Sequence, residues 1–67
     1  MIKDKRTDIY FYSTEEFVNF LSIDPEIEKE CTLSLKSCVT EQDFVDFGNE
    51  YELKENEGIM VHEYKVI

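Results

Sequence analysis

The sequence predicts an α+β domain of βαβαββ order, with two short helices packed on one face of a four-stranded mixed sheet. Three observations lead there. A helix start is written twice, at residues 13–20 and 40–47. A strand-like run precedes each one, and residues 51–67 read as a closing hairpin. With 67 residues the expectation is one domain, residues 1–67, near the lower limit for a free-standing core.

The first strand is placed at Ile9-Tyr10-Phe11-Tyr12, an aromatic and β-branched run. Ser13-Thr14-Glu15-Glu16-Phe17-Val18-Asn19-Phe20 then starts a helix. Ser13 is placed to accept from the N3 amide, Glu16 can reach back toward the cap, and Tyr12 and Phe17 occupy the two positions of a hydrophobic staple. This helix should end near Ser22, because Asp24 precedes Pro25 and is steered from helical geometry; Asp24 and Pro25 then suit the cap and first position of one further short turn.

Thr32-Leu33-Ser34-Leu35-Lys36 alternates polar with apolar and predicts a second strand, joined to the first by a crossover long enough for parallel pairing. Thr40-Glu41-Gln42-Asp43-Phe44-Val45-Asp46-Phe47 repeats the first helix start at an offset of 27 residues, with Thr40 and Asp43 as the capping pair and Val39 and Phe44 as the staple. Duplication and convergence of two capped amphipathic helices both produce such a repeat. Gly48 suits the residue that ends the second helix.

Tyr51–Glu55 and Ile59–Ile67 are read as a hairpin around Asn56-Glu57-Gly58. A three-residue loop pairs Leu53 with Val61 and Tyr51 with Glu63, and sets Glu52 opposite His62 and Glu50 opposite Tyr64. A two-residue Glu57-Gly58 turn slips the register and turns His62 and Tyr64 inward. The first register is preferred because it buries Leu53, Ile59 and Val61 together.

Charge is the strongest functional signal. Sixteen acidic residues face seven basic ones, for a net charge of −9, yet 42% of the chain is hydrophobic and 13% aromatic. Acidic disordered chains lack that apolar content, so this charge belongs to a folded surface. Lys3, Lys5 and Arg6 cluster at the start, while Glu41 to Glu57 holds seven acids against Lys54 alone. Nucleic acid and anionic membranes are therefore poor direct partners, since phosphate contact needs Lys and Arg, and a basic protein surface is a good one. No apolar run is long enough for a signal peptide or membrane span. Cys31 and Cys38 would fall on opposite faces of one strand and could not pair there, so two reduced thiols in a cytoplasmic protein are expected.

Catalysis and metal binding find little support. His62 is the only histidine, and Gly48 and Gly58 are the only glycines, so neither a phosphate loop nor a nucleophile elbow can be written. A Cys–His pair of Cys31 or Cys38 with His62 has no supporting spacing, and the same three residues lack the close Cys-x-x-Cys spacing of zinc sites. Glu50–Glu57 lacks the order of a calcium loop. A non-enzymatic protein without metal or cofactor is expected.

The acids are interleaved with groups favoured at interfaces, and on one strand Glu50 and Glu52 would stand about 6.6 Å apart. Glu41, Asp43, Asp46, Glu50, Glu52, Glu55, Glu57 and Tyr64 are the candidate partner-binding residues. In size, charge and αβ make-up the whole chain resembles, as a class, the small acidic inhibitors made by bacteriophages: anti-CRISPR proteins, anti-restriction proteins and inhibitors of uracil-DNA glycosylase. Many of these act as DNA mimics. The resemblance implies stoichiometric inhibition of a basic, nucleic-acid-binding host protein by a monomer or small homo-oligomer. The basic Lys3–Arg6 start departs from a uniformly anionic mimic. An antitoxin or immunity-type protein neutralising a basic toxin is the alternative, followed by an adaptor pairing through a strand edge.

Overall fold

In the computed structural model, which describes all 67 residues, the sheet is built on a strand that the sequence pattern conceals. Strand β1 (Ile2–Asp4) lies at the centre, antiparallel to β2 (Tyr10–Phe11) on one side and to β3 (Tyr64–Val66) on the other. The sheet is three-stranded and wholly antiparallel, which overturns the four-stranded mixed βαβαββ arrangement. Ile2 and Asp4 turn inward and Lys3 outward, so the charged start of the chain is an alternating strand whose inward acid disguises it.

Asp4 is fully buried and its carboxylate is satisfied on every side. Oδ1 accepts from the Arg6 and Glu63 amides at 3.0 and 3.1 Å, while Oδ2 accepts from the Thr7 hydroxyl at 2.7 Å and faces His62 Nδ1. The carboxylate thus organises the β1–β2 turn and fastens the segment entering β3 to it.

Helix α1 (Thr14–Leu21) starts as expected, with the Glu16 amide donating to Ser13 Oγ, and ends at Ser22. Glu16 reaches back one residue beyond the cap, to the Tyr12 amide. Asp24 caps the single turn α2 (Pro25–Glu28), again as expected. Helix α3 (Glu41–Glu55) carries a complete Thr40–Asp43 capping box. Neither staple forms: Tyr12 is 75% exposed and Val39 83%.

The two similar segments meet the core through different residues. In α1, Phe17 is buried and Phe20 is partly exposed; in α3, Phe44 is half-buried and Phe47 is buried. Their likeness is one of capping chemistry and not of packing.

Three further expectations fail for identifiable reasons. Residues 32–36 form no strand: the Thr32 and Leu33 amides donate to the Glu50 carboxylate, and Ser34 caps a 3-10 turn over Leu35–Ser37. Gly48 does not end the second helix. It lies inside α3 because a Cβ there would come within 2.4 Å of Phe17 Cζ, so the missing side chain admits the α1 ring.

The hairpin over 51–67 is also absent. Phe44, Phe47 and Tyr51 continue a helical stripe, so Tyr51–Glu55 is the last part of α3 and Leu53 is left on its outer side. The chain reverses through Glu57 and Gly58, at φ of 53° and 89°, and only Tyr64–Val66 of the expected second arm is a strand.

The core is the eight buried side chains Ile2, Phe11, Phe17, Leu21, Val45, Phe47, Tyr51 and Tyr64, enclosed between one face of the sheet and the helices. No helix is long and apolar enough to cross a membrane.

Gly48→Ala should destabilise by about 1–3 kcal/mol, because the Phe17 ring is held by Phe11 and Tyr64 and cannot swing aside. A gain of about 1 kcal/mol in helix propensity will not offset it. Urea unfolding reads the difference, and a stabilised variant would show that α1 can retreat from α3. Phe47→Ala should cost about 3–5 kcal/mol and Phe44→Ala clearly less, reversing the order that the alignment with Phe17 implies.

Candidate functional site

On a helix, residues two apart point roughly 200° from one another. Glu50 and Glu52 therefore leave α3 on different sides instead of forming a row. Glu50 faces residues 32–33, where it accepts from the Thr32 amide and hydroxyl and the Leu33 amide at 2.7–3.0 Å. Glu52 points inward and is 4% exposed, accepting from the Tyr64 hydroxyl and the Asn56 side chain, each at 2.9 Å. Tyr64 is itself buried and cannot touch a partner.

Two more expected contact residues are engaged within the fold. Asp43 completes the capping box, and Glu41 pairs with the N-terminal ammonium at 2.7 Å. Asp46, Glu55 and Glu57 stand at the surface, Asp46 accepting from Gln42 one turn earlier. Five of the eight candidate residues thus hold the structure, and three remain free to meet another molecule.

Carboxylates do converge, but from two segments. Glu30, beyond α2, joins Glu50, Leu53, Lys54, Glu57 and Gly58 around one shallow groove. Asp43 and Asp46 line a cleft with Leu33, Ser34, Ser37 and Cys38. The thiols register the resulting field. Burial raises the Cys31 pKa, and Glu50, Glu28 and Glu30 raise it further against the opposing pull of Lys54. Burial likewise raises Cys38, with Asp43 and Asp46 adding to it. Both thiols are free and protonated at neutral pH, which makes them poor nucleophiles.

Residues 24–57 carry eleven acidic side chains against three basic ones, whereas residues 1–12 and 58–67, the strands with their connections, carry three against four. The negative charge belongs to the helical side. Glu28 and Glu30 lie outside the 41–57 stretch where acids are densest in the sequence. The run Glu26, Glu28 and Glu30 was the available signal.

His62 has no nucleophile beside it. Its Nδ1 faces Asp4, and its ring stacks on Tyr64 and meets the Phe20 edge, so it closes the core's rim. The edge of β3 is also occupied: Asn49 donates from Nδ2 to the Tyr64 carbonyl at 3.1 Å and accepts the Tyr64 amide at 2.9 Å. This amide takes the place of a neighbouring strand. Comparison with protein-family models, with characterised proteins and with solved structures finds no match to this chain.

Three carboxylates are held below their ordinary range. Burial raises Asp4, but the Thr7 hydroxyl, His62 and the Arg6 and Glu63 amides outweigh it. The Thr40 and Val39 amides lower Asp43. Burial also raises Glu50, and the Thr32 and Leu33 donors outweigh it. Depressed folded values mean fewer bound protons in the folded state, so this stability is complete above the ordinary carboxylate range and lost as pH falls through the folded values. The melting temperature should therefore drop between about pH 5 and about pH 2. Asp4→Asn and Glu50→Gln should each flatten that drop, and an unchanged pH profile in both would remove these carboxylates from the account.

Proposed function

We propose that this protein is a stoichiometric, non-enzymatic inhibitor that binds a basic nucleic-acid-binding protein through its helical side. Such a target is a CRISPR effector nuclease, a restriction enzyme or a repair enzyme. One observation carries the reading: exposed carboxylates from two segments, Glu30 on one and Asp46 and Glu57 on the other, line shallow grooves on a tied-down backbone. Glu50 fastens residues 32–33 to α3 by three hydrogen bonds, so little backbone ordering remains to be lost on binding. A cationic groove built for phosphates meets here a surface of the opposite sign whose charges are already placed. A cytoplasmic site of action accords with such targets.

A basic toxin would dock on the same side, and the antitoxin reading differs only in the partner. Strand-edge pairing ranks below both, because Asn49 already occupies the backbone groups of Tyr64 and β2 has only two residues.

The reading is tested against purified CRISPR effector nucleases, restriction endonucleases and uracil-DNA glycosylases, each assayed with equimolar protein. Inhibition should be relieved by excess target DNA and should weaken with salt. Glu30→Lys, Asp46→Lys and Glu57→Lys together should abolish it with the fold intact, since all three side chains are exposed. Inhibition that survives this triple reversal, or that excess DNA does not relieve, would refute phosphate mimicry by this side.

A further inference from the structure

The open face of the sheet differs in character from the rest of the surface. Strand pairing aligns Tyr10, Lys3 and Lys65 in one row across β2, β1 and β3, all on the side away from the helices. Adjacent strands are about 4.8 Å apart, so the row spans about 10 Å. Lys3 lies over the Tyr10 ring, 5.4 Å from its centroid. Tyr12, two residues beyond Tyr10, is the more exposed of the two rings.

Lys3 and Lys65 are directly opposed, an arrangement that like charges make unfavourable. One step along, Lys5 is matched by Glu63 at 3.3 Å. Lys65 has no acidic partner, and Lys3 has only the exposed Asp8 at 3.2 Å, a surface pair of the kind that is readily exchanged. In a chain of sixteen acids, Lys65 without a carboxylate partner and Lys3 with a single exchangeable one, on adjacent strands, form a place for an anion.

We propose that this sheet face binds a short segment of single-stranded nucleic acid. A phosphate sits between the Lys3 and Lys65 ammonium groups, one base stacks on Tyr10 and its neighbour on Tyr12. Aromatic stacking combined with a few cations is how non-specific single-strand binding is built. The proposal is independent of the inhibitor reading, which uses the opposite side.

The net charge does not forbid this. At physiological salt the Debye length is about 8 Å, and exposed charges farther apart than that are largely screened from one another. The acids of the helical side lie across the core from a strand on the open sheet face. A second copy fits less well. Three short strands offer far less than the roughly 800 Å² per partner of a stable interface, and the lysine row would face its own kind.

The test is fluorescence anisotropy of labelled twelve-residue oligo-dT and oligo-U with the whole chain at physiological salt. Saturable binding is expected in the range of about 10⁻⁴–10⁻⁶ M, where non-specific contacts fall. A duplex of equal length should bind more weakly, because its bases are not free to stack on the sheet. Tyr10→Leu should weaken single-strand binding at least about fivefold, the lower end for one stacked base. Lys65→Ala should weaken it and flatten its salt dependence. Tyr12→Ser serves in the same way should Tyr10→Leu disturb the melting transition. Glu57→Lys, on the other side, should leave the effect of Lys65→Ala unchanged. Absence of saturable binding, equal binding of duplex, or indifference to both tyrosine variants would overturn the proposal. So would concentration-dependent self-association abolished by the same variants, which would assign the face to a second copy.

Discussion

Tyr64 is held on α3 from three directions, and the remaining architecture is arranged around that attachment. Asn49 takes both of its backbone groups, Glu52 accepts its hydroxyl, and its ring meets the Phe17 edge with centroids 4.7 Å apart. Asn49 and Glu52 are one helical turn apart, so one face of α3 fixes the position and tilt of β3. Gly48, beside Asn49, leaves the space through which Phe17 reaches the same ring. Burial, and then the hydrogen bond to Glu52, drive the Tyr64 pKa far above its usual value, which keeps the hydroxyl a donor. Once β3 is placed, β1 pairs along it and β2 along β1.

Two buried carboxylates complete the frame by holding opposite ends of the segment between α3 and β3. Glu52 binds Asn56 at the end of α3, and Asp4 binds the Glu63 amide and faces His62. Burying a carboxylate is costly unless its oxygens are satisfied, and no buried polar side-chain atom here lacks a partner. A core of only eight side chains leaves little apolar burial to fix long connections. Polar ties therefore set the path of residues 56–63, and Ile59 and Val61 remain exposed instead of closing a hairpin.

Separating charge by side gives the molecule two unlike surfaces. The helical side bears most of the acids, with Asp43 and Glu50 held by backbone amides; the sheet face bears tyrosines and lysines. An average over the chain obscures this, because net charge describes distant attraction whereas contact is decided within a Debye length. One small domain therefore presents surfaces of unlike charge on its two sides.

Local chemistry determined what the sequence shows plainly. Ser13, Asp24 and Thr40 start helices where their hydroxyls and carboxylate dictate, and Pro25 opens the short turn, because capping is settled within four residues. Composition likewise determined that an acidic chain would fold. What tertiary structure decided were the contacts between distant residues. Gly48 reads as a helix stop until Phe17 is seen to need its space. Thr32–Lys36 reads as a strand until Glu50 takes its amides. Ile2–Asp4 reads as a charged leader until Tyr64–Val66 pairs with it and its acid is satisfied by residues 58 and 59 positions away. The same holds for the site. Acidity was legible, but which carboxylates are spent on the fold and which face outward depends on helix phase. That phase was set by Phe47, Gly48 and Tyr51 turning into the core.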